Sequence, residues 1–348
     1  MGTVVGHWKD LTEAQRLTQS QLIPGVIEQD IKRNNPIERV AVALALGKSI
    51  KWNREKTVLD GDVQKVDIGA SLSWTSSMDY ESKEVELKRA ALPRLLDNFI
   101  LDVYGTVQSY EAQALWEIKK GMIRWLGDQF IYGDTTYSAG GLEMDGLHAW
   151  AAENDSGAAA DGVYDIDMAS AALSVASLRT MLDAMKAGCD FILVPPEIGL
   201  RIDETYEEAA FAGTAGDHIM SSFSRGINDL GKPIMYYQGI PIIRTDYLVA
   251  EQADTGRGTT VRAKYTSGTK VYSIFGVKSG DVFAGQSGIT LAFGNPEMKS
   301  KLYKVEYFDK LEDYDAKGIR LITYVNTLLG SKLCLTRIHD ITDAKLVV

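Results

Sequence analysis

From Ser109 to Asp134 the side chains Leu115, Ile118, Met122, Trp125 with Leu126, and Phe130 beside Gln129 recur at helical spacing. This predicts one long amphipathic helix over 109–132. The turn Tyr132-Gly133-Asp134 closes it, with Gly133 expected as a left-handed stop. The stretch before this helix alternates polar and apolar residues without any compact apolar block. A chain that devotes so much length to segments unable to bury themselves is expected to bury them against other chains.

The N-terminal part reads as short pieces. Thr12-Glu13-Ala14-Gln15 fits a capping box opening a helix to about Leu22, before Pro24-Gly25. Val26 to Lys32 predicts another helical turn or two, which Asn34-Asn35-Pro36 breaks. Residues 1–46 thus read as helical pieces on turns, too poor in apolar side chains for a core of their own, and ordered by a neighbouring chain. From Gly47 the period becomes two. Ile50, Trp52 and Arg54 share one face, opposite Lys51, Asn53 and Glu55. Val66, Ile68, Ala70, Leu72 and Trp74 alternate with polar or small residues, which predicts a half-buried strand. Asp60-Gly61 lies between the two runs as a turn signal, so a long two-stranded arm is expected. An isolated hairpin is marginal in water, so its apolar face needs a partner surface.

Val85 and Leu87 continue the alternation, and Leu95 to Val103 is apolar enough to lie under the long helix. Gly140-Gly141 and Asn154–Gly162 read as loops. Leu178, Met181, Leu182 and Met185 predict a second helix ending at Gly188, followed by a strand from Cys189 to Val194 that Pro195-Pro196 closes. Gly239–Ile243 predicts a buried strand and Gln252–Gly258 a polar loop. Further strands are expected at Val271–Val277, Ile289–Phe293, Tyr303–Tyr307, Ile319–Val325 and Leu333–Ile338. The fold class is α+β.

The 348 residues are 45% hydrophobic and 24% charged, enough for one large or two modest cores. A net charge of −10 disfavours nucleic-acid binding through a broad basic face, though not enclosure of nucleic acid without adhesion. Cys189 and Cys334 lack any C-x-x-C spacing and read as buried free thiols. The N-terminal residues show no secretory leader pattern, and no apolar run approaches the ~20 residues of a membrane span. The expectation is a chain made in the cytosol, with no membrane partner.

Candidate chemistry is thin. His7, His148, His218 and His339 have no metal-site spacing. Leu46-Gly47-Lys48-Ser49 is like the end of a P-loop, but Val42 stands where its first glycine belongs. Gly285-Gln286-Ser287-Gly288 lacks the final glycine of a nucleophile elbow, because Ile289 is there. Ser267-Gly268-Thr269-Lys270 matches S-x-x-K by letters without its companion motifs. Acidic clusters at Asp203-Glu204, Glu207-Glu208 and Asp309–Asp315 read as solvated faces. No catalytic, cofactor-binding or metal residue is nominated, and an enzyme is not expected. Trp116 and Trp125 read as core. Trp52 and Trp74, lacking an internal burial site on the arm, read as anchors on an adjacent subunit. Arg54, Glu55 and Lys56 complete the candidate assembly interface.

The order of these parts resembles the HK97-like major capsid proteins of tailed bacteriophages. The residues that carry the resemblance are Gly47-Lys48-Ser49-Ile50-Lys51-Trp52-Asn53-Arg54-Glu55 entering the hairpin, Pro93–Val103 with Ser109–Asp134 along the spine, Gly239-Ile240-Pro241-Ile242-Ile243, and Phe275-Gly276. It implies an N-terminal arm at 1–46, an extended β-hairpin loop at 47–81 and a peripheral domain at 82–165 with its spine helix. It also implies an axial domain at 166–299 and returning strands at 300–348 that complete both. The implied function is a structural subunit that self-assembles into pentamers and hexamers of an icosahedral shell around double-stranded DNA, without sequence-specific binding. Implied partners are further copies of itself, a portal, a separate scaffolding protein and a decoration protein. The virion is the implied location, after synthesis in the host cytoplasm. Encapsulin-type compartments share the fold and are the alternative; the long N-terminal arm favours the phage reading. Some shells of the family weld a loop lysine to a neighbour's asparagine. Lys51, Lys56, Lys65, Asn295 and Asn326 supply the letters here, but no motif marks them, so a non-covalent shell is expected.

Overall fold

The structure, a computed structural model, describes residues 30–57, 63–72, 74, 79–98, 110–136, 140–154, 163–212, 222–227, 233–257, 261–294, 301–311 and 315–347. After a 3-10 turn at Pro36–Arg39 come β1 (Ala41–Ala45), β2 (Ser49–Thr57), β3 (Asp79–Glu86) and β4 (Lys88–Asp97). Helices α1 (Tyr110–Tyr132) and α2 (Leu147–Asn154) follow, then β5 (Asp165–Asp167), β6 (Ala172–Ser174) and α3 (Val175–Ala184). Next are β7 (Phe191–Val194), α4 (Pro196–Ala212), β8 (Phe223–Ile227), β9 (Pro233–Tyr237), β10 (Ile240–Arg244), β11 (Glu251–Arg257) and β12 (Val261–Lys264). The chain ends with β13 (Lys270–Val277), β14 (Ile289–Gly294), β15 (Tyr303–Phe308), β16 (Ala316–Leu329) and β17 (Leu335–Val347).

These strands make three sheets. A five-stranded sheet runs β1-β14-β16-β15, with β4 paired antiparallel along β16 from Lys88 to Asp97. Helix α1 lays the i, i+4 stripe Ala114, Ile118, Met122, Leu126 and Phe130 into the core beside it. A ten-stranded sheet runs β12-β11-β13-β7-β10-β9-β8, with β17 bonded to β13, β5 and β6. This sheet separates two hydrophobic cores. Phe191, Leu193, Ile243, Phe275 and Val277 face the core that contains α1 and α2. Their neighbours Ile192, Val194, Ile242, Tyr272 and Ile274 face a second core closed by α3 and α4. Burial on both faces explains why β7 reads as an unbroken apolar run. The third sheet is the hairpin β2–β3, paired from Ser49–Glu86 to Thr57–Asp79.

Several expectations change. The expected strand from Val66 to Trp74 is absent among its described residues: Ala70 N–H donates to Asp67 C=O at 3.1 Å, Gly69 has φ +86°, and β2 pairs instead with β3. Alternation makes a segment fit for a strand, but a strand needs a partner for its backbone, and no described strand pairs with this segment. From residue 30 the N-terminal segment is not helical beyond the 3-10 turn, and it makes contacts within its own subunit. Asp30 meets Arg124 at 2.5 Å, Asn35 Nδ2 donates to Ile123 C=O at 3.3 Å, and β1 pairs parallel with β14. The helix expected after Thr12 lies outside the described residues, as do residues 99–103 of the stretch placed under α1. Leu95 and Leu96 belong to β4.

Gly133 is not a left-handed stop. Its backbone closes on Gln129 C=O at 2.8 Å, and a Cβ there would meet Met144 O at 2.2 Å, so glycine is required for close approach of the following loop. Pro196 opens α4 rather than only ending β7, because proline suits the first turn of a helix. Of the loop expected at Gln252–Gly258, residues 252–257 belong instead to β11, in a hairpin with β12. Asn154, expected as loop, is buried at the end of α2, its Nδ2 donating to Lys332 and Leu335 carbonyls. Both cysteines are free, Cys334 buried and Cys189 half-buried, and burial pushes the Cys189 thiol up to about 11.

Candidate assembly surface

The base of the β2–β3 arm is fastened to its own subunit. Trp52 Nε1 donates to Leu329 C=O at 3.2 Å, and the same oxygen accepts from Arg54 Nε at 3.2 Å and Nη2 at 2.5 Å. The Arg54 guanidinium lies 5.6 Å from the Trp52 ring and 5.7 Å from that of Trp150. Arg54 is buried, and burial lowers its pKa against the opposing pull of Glu153 and Glu81. Lys83, across the ladder from Trp52, bridges Glu81 at 2.9 Å and Glu153. Burial works against its charge, yet those hydrogen bonds prevail and raise its pKa. The expectation that Trp52 has no internal site is therefore corrected. Its partners on α2 and β16 are remote in sequence, which is why periodicity could not supply them.

Beyond the base the picture reverses. Val63, Val66, Ile68, Leu72 and Trp74 are exposed, Ile68 fully and Trp74 to 96%. Tyr80 and Glu55 on the paired strands are exposed as well; the Lys56 side chain lies outside the described residues. Of the five nominated residues the structure brings Trp52 and Arg54 together and leaves Trp74 and Glu55 in solvent. A run of large apolar side chains left uncovered among the described residues is a candidate interaction surface. A second apolar feature is a cavity of about 320 Å³ between α1 and the five-stranded sheet, lined by Ile37, Val42, Met122, Ile123, Phe293 and Tyr303.

Three polar constellations were not legible in the sequence. Asp167, His339 and Asp340 present ligand-type atoms within 4.8 Å of one another, although the histidine spacings gave no hint of it. A cavity of about 270 Å³ gathers Arg39, Arg225 and Arg244, the last paired with Asp203. The third is fully buried: Glu251 accepts from Tyr132 OH at 2.9 Å and Ser273 Oγ at 2.6 Å and meets His148 Nε2 at 3.1 Å, while Arg337 Nη1 meets His148 Nδ1 at 2.9 Å. Arg337 also pairs with Asp165 through Nε at 2.6 Å and through Nη2. Burial pushes Asp165 and Glu251 upward, yet the Arg337 charge beside Asp165 and the hydrogen bonds that Glu251 accepts from His148, Ser273 and Tyr132 hold both carboxyls below their ordinary values. The one visible signal was Arg337 standing in the apolar run Leu333–Ile338.

No protein-family model matches the chain, and no curated protein sequence matches it. Solved structures do. An encapsulin from Synechococcus elongatus PCC 7942 superposes with a TM-score of 0.65, at 12% identity, over 97% of this chain and 97% of its own. The capsid of a native GTA particle gives 0.55, at 13% identity, over 93% and 94%. The capsid of the cyanophage P-SCSP1u gives 0.54, at 11% identity, over 93% of each chain. The chain has the HK97-like fold.

Two of the residues considered for a covalent weld are engaged within the subunit. Asn326 is buried, donates to Glu86 C=O at 2.8 Å and accepts from Asp145 N–H at 3.1 Å, and Lys51 pairs with Glu84 at 2.9 Å. Asn295 lies outside the described residues.

Proposed function

We propose that this chain is the major structural subunit of a closed icosahedral shell, assembling as pentamers and hexamers around double-stranded DNA in a virion of the tailed-phage type. The observation that carries this reading is the exposed apolar run from Val63 to Trp74 at the end of an arm whose base is fixed in the subunit core. Such an arm is built to reach a neighbour. In this reading residues 1–46 serve as N-terminal arm and 47–81 as extended loop. Residues 82–165 serve as peripheral domain and 166–299 as axial domain, completed by 300–348. Trp74, Glu55 and Lys56 contact the adjacent subunit, while Trp52 and Arg54 fix the angle at which the arm leaves. Ring closure through heterologous contacts follows from such reciprocal reach. The net charge of −10 supports enclosure of DNA with weak, sequence-independent contact. Synthesis in the host cytoplasm, a portal, a separate scaffolding protein and a decoration protein belong to the same proposal. Among the described residues no helix is long and apolar enough to cross a membrane.

A second reading is a protein-filled compartment of the encapsulin type, favoured by the TM-score of 0.65 over 97% of both chains. Negative-stain microscopy of the purified protein, with a nuclease-protection assay, tests both. Closed shells protecting double-stranded DNA are expected. Closed shells holding only protein would select the compartment, and small discrete particles at shell-forming concentrations would end both readings.

A further inference from the structure

The buried constellation at His148 fixes the state of its own imidazole. Arg337 is a donor only, since a guanidinium has no acceptor. Its Nη1 lies 2.9 Å from His148 Nδ1, so Nδ1 must be bare and the ring proton sits on Nε2, directed at Glu251 Oε1 at 3.1 Å. The ring is gripped sterically as well: stacked on Tyr132 with centroids 5.1 Å apart, and edge-on to Phe275 at 4.8 Å. The partners come from five different elements. Tyr132 ends α1, Glu251 begins β11, Phe275 and Ser273 stand on β13, Arg337 on β17 and Asp165 on β5. Outside this ring of groups, Lys264 of β12 lies 5.0 Å over the Tyr132 ring and pairs with Asp128 of α1 at 2.6 Å. His148 is fully buried, so no water can take over a lost partner.

A second proton would have to go on Nδ1. It would set an N–H against the Arg337 N–H and a positive ring against a positive guanidinium, which then has to withdraw toward Asp165. We infer that His148 is an acid-releasable latch that ties α2 to β11 and β17 within each subunit, closed when its imidazole is neutral and released when it is protonated. The sign is consistent with the rest of the site. Burial is the main cause that holds the His148 pKa below its ordinary value, and the charge of Arg337 adds to it, against the opposing pull of Glu251. The native form is thus the neutral one, while a released histidine takes a proton near ~6.5. Protons therefore favour the released state as pH falls below about 6.5, by at most ~tenfold per pH unit. The lowered values of Glu251 and Asp165 act in a separate, more acidic window, as their released carboxylates titrate near ~4.

The test is hydrogen exchange of the full chain, corrected for intrinsic rates, at pH 7.5 and 5.5. Amides of α2 (Leu147–Asn154) are expected to lose protection by about tenfold relative to those of α3. In His148→Gln the side-chain carbonyl can still accept from Arg337 and the amide can still donate to Glu251, so this variant should lose the pH response. His339→Gln, which removes the other described histidine of this region, should keep it. An unchanged α2 in the wild-type chain, a full response in His148→Gln, or its loss in His339→Gln would overturn the latch. Should His148→Gln not fold, nitrogen chemical shifts of the histidine-labelled wild-type chain decide: a bare Nδ1 at pH 7.5 is expected, and a protonated Nδ1 refutes the inference.

Discussion

At its base the β2–β3 arm sends Ile50, Trp52 and Arg54 into the subunit's own core, whereas beyond the ladder Val66, Ile68, Leu72 and Trp74 stand in solvent. Both stretches have the same alternation of apolar and polar residues. What separates them is the supply of partners: Leu329 C=O and Trp150 receive the first, and no described residue covers the second. An identical pattern therefore builds the core in one place and leaves apolar side chains exposed in another. The difference shows in where a substitution is felt.

The largest effect is expected at the base. Trp52→Ala removes an aromatic wedged against Arg54 and Trp150 and should destabilise the free subunit by about 3 kcal/mol in denaturant unfolding. A loss below about 0.5 kcal/mol would move Trp52 back to the surface class. Trp74→Ala should do the opposite, leaving the free subunit within ~0.5 kcal/mol of wild type but weakening the assembled shell by about 2 kcal/mol per contact. Shell and free-subunit melting, measured in parallel, check this, and equal shifts in both would erase the distinction between base and tip. On the solvent side of the ladder, Lys51→Ala breaks the exposed pair with Glu84 and should leave the denaturant midpoint of the free subunit unchanged. No covalent trace is expected: mature particles boiled in denaturing detergent should give one band at 38.2 kDa. A ladder surviving reductant would show that the arm is welded rather than docked, and would point to Lys56 and Lys65.

The elements legible in advance were those whose burial is local and periodic. The stripe of α1, the strands β7, β10, β13, β14 and β15, and the inward face of β2 all follow from spacing alone. The polar segment 251–257 hid a strand, because pairing of its backbone with β12 asks little of its side chains. Residues 63–74 hid the absence of one, because spacing does not reveal whether a partner exists. The site at the arm's base depended on Leu329, and the buried constellation on Glu251 and Arg337 meeting His148, separations of about a hundred residues or more. No window along the chain spans such distances.

The four residues of β7 divide between the two cores, Phe191 and Leu193 on one side and Ile192 and Val194 on the other. A slip of one residue would exchange the contents of both cores at once, so the register of this strand is enforced from two directions. Its neighbours in register, Ile192–Val194 with Ile242–Arg244 and Phe191–Leu193 with Phe275–Val277, inherit the same constraint. The middle of the subunit therefore has no plane along which it can shear. In the proposed shell, a change of curvature would fall to the margins of the subunit: to the arm and to the outer strands β12 and β8.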